Sequence, residues 1–148
     1  MKVAILMGSP RDDEKMAGAS EMLARFGVEH EVHVMSAHRT PEEVAEFASN
    51  ARSNGFGVII CGAGMAAHLA GVVSAHTTIP VIGVPLSGGI SGGMDALLST
   101  VQMPRGIPVA TVAVDGSANA GVLAVEILSL SNGDLVAQLQ RFRDEGAR

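Results

Sequence analysis

The stretch KVAILMGSPRDDEKMAGASEMLARFG, residues 2–27, sets the pattern for the whole chain. After Lys2 it opens with five apolar residues in a row, as in a strand covered on both faces. A turn, Gly8-Ser9-Pro10-Arg11-Asp12, follows. Met16, Ala19, Leu23 and Phe26 then recur at helical spacing over residues 13–26, and Gly27 supplies a stop. A buried strand followed at once by an amphipathic helix is the opening half of a βαβ unit.

The rest of the chain repeats this alternation. Further strands are expected at 31–35, 57–61, 80–84 and 108–114, all rich in Val and Ile. Thr40-Pro41-Glu42-Glu43 announces a helix, with Thr as N-cap, Pro in the first turn and Glu43 returning a bond to the cap. Val44, Phe47, Ala48 and Ala51 give that helix its apolar face, and Gly55 ends it. Other helices fit 65–75, 93–101, 118–130 and 133–143. Right-handed crossovers then give an α/β three-layer αβα sandwich on a five-stranded parallel sheet, with strand order 2-1-3-4-5. No linker or repeat divides residues 1–148, so a single domain is expected. The helix at 133–143 carries Leu135, Val136, Leu139 and Phe142 but has no strand after it to cover. The segment 133–148 is therefore expected to dock on a neighbouring subunit of a homo-oligomer.

Composition narrows the function. The 148 residues carry 10 Lys and Arg against 15 Asp and Glu, and only 17% are charged, with no basic run. The aromatics are four Phe, so neither a phosphate-tracking groove nor base-stacking platforms are supplied and nucleic acid is not an expected partner. Apolar runs are short and interrupted by Gly, Pro or His, and the N-terminal run meets Gly8-Ser9-Pro10 before a signal core forms. A soluble, cytoplasmic protein without membrane association is expected. The single cysteine, Cys61, sits in an apolar run and reads as a core residue.

Chemistry belongs at the carboxyl ends of the strands. There the sequence places Gly8-Ser9-Pro10-Arg11-Asp12, Ser36-Ala37-His38-Arg39-Thr40, Gly62-Ala63-Gly64-Met65-Ala66-Ala67-His68 and Pro85-Leu86-Ser87-Gly88-Gly89. Gly8 and Ser9 before a helix N-terminus suit an anion. Asp12 could bind a ribose diol, or it or Asp13 could cap the helix. His38 with Arg39 offers proton transfer near neutral pH beside a permanent cation, although both could be ordinary loop residues. Gly62-Ala63-Gly64 could form a backbone nest or only a tight turn, and His68 could face the site or pack. His30 and His33 fall on opposite strand faces and form no local metal pair, and His76 is expected in a loop. Neither a Walker loop nor a serine nucleophile elbow is present.

Taken in order, these motifs resemble the PurE family of purine biosynthesis, the N5-carboxyaminoimidazole ribonucleotide mutases. The likeness rests on Met7-Gly8-Ser9 with Asp12, the run from Ser36 to Pro41, Gly62-Ala63-Gly64 with Ala66-Ala67-His68-Leu69 and Gly71, the run from Pro80 to Pro85, and the run from Gln102 to Val109. The resemblance implies a flavodoxin-like domain assembled as a homo-octamer, with no cofactor and no metal, acting on a small ribonucleotide. It implies that Ser9, Asp12 and Arg39 hold the ribose phosphate end with Gly8 beside them, while Arg11, where the chain departs from the pattern, is expected to add a cation beside that loop. Ser36, Ala37, Gly62, Ala63, Gly64, Met65, Ala66, His68 and Leu69 would surround the base and a migrating CO2, and His38 would be the general acid and base.

Family carboxylases that take CO2 directly tend to carry His-Lys where this chain has His38-Arg39, which sets it nearer the mutases. It departs from them at Met65, usually Gly, at Ala70, usually Pro, and at Pro10-Arg11. A direct aminoimidazole ribonucleotide carboxylase, a related carboxylase or decarboxylase, and a non-catalytic nucleotide-binding module are the competing readings.

Overall fold

The computed structural model describes residues 1–147. Five parallel strands lie in the order β2-β1-β3-β4-β5. They are β1 (Lys2–Met7), β2 (His30–Val34), β3 (Phe56–Gly64), β4 (Val81–Leu86) and β5 (Ala110–Thr111). Six helices alternate with them: α1 (Asp13–Arg25), α2 (Pro41–Asn50), α3 (Leu69–His76), α4 (Met94–Val101), α5 (Ser117–Ser129) and α6 (Gly133–Asp144). This is the expected flavodoxin-like sandwich.

Alternate residues of the central strands β1, β3 and β4 serve two cores. On one face Val3, Ile5, Val58, Ile60 and Ile82 pack beneath Met16 and Leu23 of α1 and Ala124 and Val125 of α5. On the other, Ala4, Leu6, Ile59 and Cys61 pack beneath Val44 and Ala48 of α2 and Leu69 and Val73 of α3. Strands buried on both faces must be apolar throughout, which is the pattern that β1 and β3 display. Cys61 is buried in the second core, and burial pushes its thiol well above the ordinary range.

The element boundaries differ from expectation for identifiable reasons. β3 runs on through Gly62, Ala63 and Gly64, which stay in register with Val84, Pro85 and Leu86 of β4, so these three are strand residues and not a turn or nest. α3 begins at Leu69 and not at 65, because Met65 adopts a left-handed backbone (φ 55°) and tight turns occupy the next residues. His76 is the last residue of α3 and not part of a loop. β5 shrinks to two residues: Pro108 has no N–H to donate, and beyond Val112 the chain meets β4 one residue out of step, the Asp115 amide donating to the Pro85 carbonyl.

Thr40 precedes α2 without capping it. Its hydroxyl accepts from the Ser36 amide (3.0 Å) and turns back toward the Ser36 carbonyl. The apolar face of α6 is used within the chain. Leu135 and Phe142 are buried, Phe142 meets Phe26 edge-on at 5.3 Å between centroids, and Val136 stays exposed. Leu135 and Phe142 thus pack within the chain, with Leu128 of α5 and with Phe26 at the end of α1.

Candidate active site

Four loops at the carboxyl edge of the sheet enclose a cavity of about 280 Å³. Small-molecule sites usually span about 300–1,000 Å³, so one small ligand fits. Following the strand order, the wall comprises Ser36, Ala37, His38 and Arg39 after β2, and Gly8, Ser9 and Asp12 after β1. Ala63, Gly64, Met65, Ala66, His68 and Leu69 come from the end of β3 and beyond, and Ser87 and Gly88 from after β4.

The loop after β2 is held by its own hydroxyls. Ser36 Oγ accepts from the amides of His38 and Arg39, both at 3.3 Å, while Thr40 fastens the Ser36 amide from the other side. This side-chain-to-backbone turn leaves the His38 and Arg39 side chains free to project. Arg39 reaches the Gly8 carbonyl at 2.7 Å, which joins the β2 loop to the β1 loop. His38 reaches the other way, and its Nε2 lies 2.7 Å from Nδ1 of His68. Of these two nitrogens one must carry a hydrogen and the other must accept it. Both imidazoles are exposed at the cavity, and Leu69 just beyond is buried.

Asp12 sits at the start of α1 but makes no side-chain cap there. The Ser9 hydroxyl accepts from the Arg11 amide instead and caps a short 3₁₀ turn over Pro10–Asp12. Burial pushes the Asp12 carboxyl above its ordinary range, against the opposing pull of the Ser9 amide and the Lys15 and Arg39 charges. A partly desolvated carboxylate between two cations suits a hydroxyl-bearing ligand, because a diol donates to it while an anion is met by the neighbouring arginine.

Two of the candidate residues lie outside the cavity wall. Arg11 is exposed beyond it, and Gly62 is buried in β3, where an added Cβ would run into the Met16 side chain. Ser87 and Gly88 stand in the wall although only their loop, not their side of the cavity, was legible beforehand. Lys15 was overlooked entirely. Its Nζ donates to the Ser87 carbonyl at 2.6 Å and to the Ser87 hydroxyl at 2.9 Å. The available signal was its place three residues after Asp12, on the same face of α1. Among the described residues no group of three or more His, Cys, Asp or Glu could hold a metal ion, and no helix is long and apolar enough to cross a membrane.

The sequence model of the family described as AIR carboxylase matches residues 2–148. The chain belongs to the AIR carboxylase family. It is 52% identical over 147 residues to the N5-carboxyaminoimidazole ribonucleotide mutase of Vibrio vulnificus, covering 98% of this chain and 91% of that one. The corresponding mutase of Aquifex aeolicus is 54% identical over 137 residues, with 93% and 82% covered. The chloroplastic phosphoribosylaminoimidazole carboxylase of Vigna aconitifolia is 49% identical over 97% of this chain, which spans only 26% of that longer protein. The crystal structure of Treponema denticola PurE superposes with a TM-score of 0.89 at 29% identity, covering 98% of this chain and 90% of that one. Met65, in the cavity wall, has a left-handed backbone (φ 55°), one that glycine adopts without strain.

Proposed function

We propose that this AIR carboxylase family member is an isomerase of purine biosynthesis. It interconverts N5-carboxyaminoimidazole ribonucleotide and 4-carboxy-5-aminoimidazole ribonucleotide, with His38 as general acid and base and CO2 held in the cavity between the two half-reactions. The relatives of similar length that bear the mutase name support this reading. The observation that carries it is the placement of His38 on the cavity wall against His68, with Arg39 and Asp12 beside it.

The residues suit the chemistry. Protonated His38 gives its proton to the exocyclic nitrogen as the N–CO2 bond breaks, releasing CO2 and the aminoimidazole. The electron-rich ring carbon C4 then attacks CO2, and the imidazole, now neutral, takes the proton from C4 as the ring regains aromaticity. One histidine thus ends in the state in which it began. Ala37, Ala63, Gly64 and Ala66 offer CO2 a wall with few polar side chains, which keeps water from competing for it. Arg39, near Ser9 and the first turn of α1, would hold the phosphate, a charge-assisted contact worth about 1.5–3 kcal/mol.

The proposed form is a homo-octamer in the cytoplasm. An apolar strip along α4 supports assembly, and the absence of a disulfide framework agrees with a reducing compartment. Direct carboxylation of aminoimidazole ribonucleotide is the second reading, favoured by the carboxylase names of the relatives from Vigna aconitifolia and Candida glabrata.

The test is ultraviolet detection of 4-carboxy-5-aminoimidazole ribonucleotide from fresh N5-carboxyaminoimidazole ribonucleotide, in parallel with aminoimidazole ribonucleotide in high bicarbonate. Fast product from the first alone is expected. Product from the second alone means a direct carboxylase, and none from either sinks both readings. His38→Asn is expected to lose turnover by about 100-fold or more while ribonucleotide binding and the melting temperature persist. Unchanged turnover would remove His38 from the chemistry.

A further inference from the structure

We infer that Lys15 is a positioning residue of the cavity, fixing the Ser87–Gly88 wall so that the ribonucleotide finds a preformed site. The inference rests on the functional reading above for its ligand, and on geometry for its mechanism.

Ser87, half-buried, directly follows the buried run of β4 that ends at Leu86, and Gly88 comes next with a left-handed backbone (φ 114°). Here the chain leaves the sheet, and its polar groups need partners other than ladder bonds. Lys15 supplies them from a different element. From the first turn of α1 its ammonium crosses to the residue after β4 and donates both to the Ser87 carbonyl (2.6 Å) and to the Ser87 hydroxyl (2.9 Å). The Ser87 amide in turn donates to Asp115 Oδ1 at 2.9 Å, and Asp115 itself has a left-handed backbone (φ 57°) at the turn into α5. Three hydrogen bonds, two from Lys15 and one to Asp115, therefore tie one serine to two distant parts of the sequence, and a single cation balances the oxygens gathered there.

Charge agrees with this geometry. Burial pushes the Asp115 carboxyl up, but the Ser87 hydroxyl and amide and the Lys15 charge outweigh it and hold that carboxyl below its ordinary range. Lys15 also opposes the rise at Asp12. The ammonium is partly buried and its contacts are short, which strengthens charge-assisted bonds relative to exposed ones. In strand order Ser87 and Gly88 close the cavity at the end away from Arg39. Freeing that wall would widen the site without touching His38, so the loss should fall on substrate binding and not on the chemical step.

The experiment compares the wild-type chain with Lys15→Met and Lys15→Arg, reading steady-state kinetics with N5-carboxyaminoimidazole ribonucleotide and amide hydrogen exchange at residues 87–89. Lys15→Met is expected to raise KM by about tenfold or more with kcat within about threefold, and to speed exchange at 87–89. Lys15→Arg should restore most of both, since a guanidinium can donate to carbonyl and hydroxyl together. An unchanged KM in Lys15→Met, or a loss confined to kcat, overturns the inference. So does unaltered exchange. If Lys15→Met fails to fold, Lys15→Gln carries the same expectations. If the wild type turns over neither ribonucleotide, the functional reading falls, and exchange at 87–89 alone decides whether Lys15 fixes the wall.

Discussion

Asp12 shows how a binding residue can cost the empty protein stability. Burial raises its carboxyl pKa in the folded state, so folding favours the protonated form and disfavours the ionised one. Above the raised pKa the ionised group therefore works against the fold, and the penalty disappears as pH falls through the carboxylate range. Asp115 has the opposite sign: its lowered pKa gives stability that is present at neutral pH and is lost on acidification. Asp12→Asn is expected to melt about 1–2 °C higher than wild type at pH 7, since partial exposure screens the effect. The gap should close toward pH 3, and KM for the ribonucleotide should rise. Melting curves across pH check this, and a lower melting temperature for the variant at pH 7 would contradict it. At this scale the sequence was informative where a residue directly follows a strand. His38 and Arg39 were legible because β2 and the start of α2 bracket them closely. His68 was ambiguous because its orientation depends on the left-handed backbone of Met65, which nothing local announces. Lys15 had only its place near Asp12 to announce it, because the serine it holds lies 72 residues away.

Between elements, α1 and α5 approach closely, and glycines set the distance. A Cβ on Gly121 would stand 2.9 Å from the Ala19 carbonyl oxygen and 2.9 Å from Met22 Cβ, and one on Gly18 would stand 3.1 Å from the Ala118 amide nitrogen. Backbone cannot move aside as a side chain can. Gly121→Ala would gain up to about 1 kcal/mol of helix propensity. Forcing the helices apart typically costs about 1–3 kcal/mol, so a net loss is expected. The matching control is Gly133→Ala in the first turn of α6, where nothing lies within 4 Å of the added methyl. Urea unfolding should show a lower midpoint with unchanged slope for Gly121→Ala and no such fall for Gly133→Ala. Equal midpoints for Gly121→Ala and wild type would mean that the helices separate freely. The helices themselves were legible from apolar spacing, as were the strands from their Val and Ile. Their ends were less so. The extension of β3 through three small residues depends on pairing with β4, and the shortness of β5 depends on what β4 leaves for it to bond.

At the scale of the whole molecule, the surface beside the cavity is unlike that of a solitary domain. Met94, Leu98 and Val101 recur at helical spacing along α4, exposed by 48%, 49% and 47%, and Ile90 in the turn before it is exposed by 73%. Fully burying such a side chain gives about 1.5–3 kcal/mol, and roughly half of that is still available at the three on α4. One copy of the strip offers about 3–7 kcal/mol, only the low end of the association cost of about 4–15 kcal/mol, whereas two copies facing each other reach well into that range. A symmetric contact uses the strip twice, so it favours an isologous interface as the building unit of the proposed octamer. Ile90 follows Gly88 of the cavity wall by two residues, and disturbing the interface should therefore reach the site. The paired change Met94→Glu and Leu98→Glu places four like charges in such an interface. Light scattering on the eluting wild-type protein is expected to give an octamer mass and the variant a smaller one, with turnover falling alongside. A monomeric wild type, or an unchanged mass in the variant, would show that this strip is not what joins the subunits.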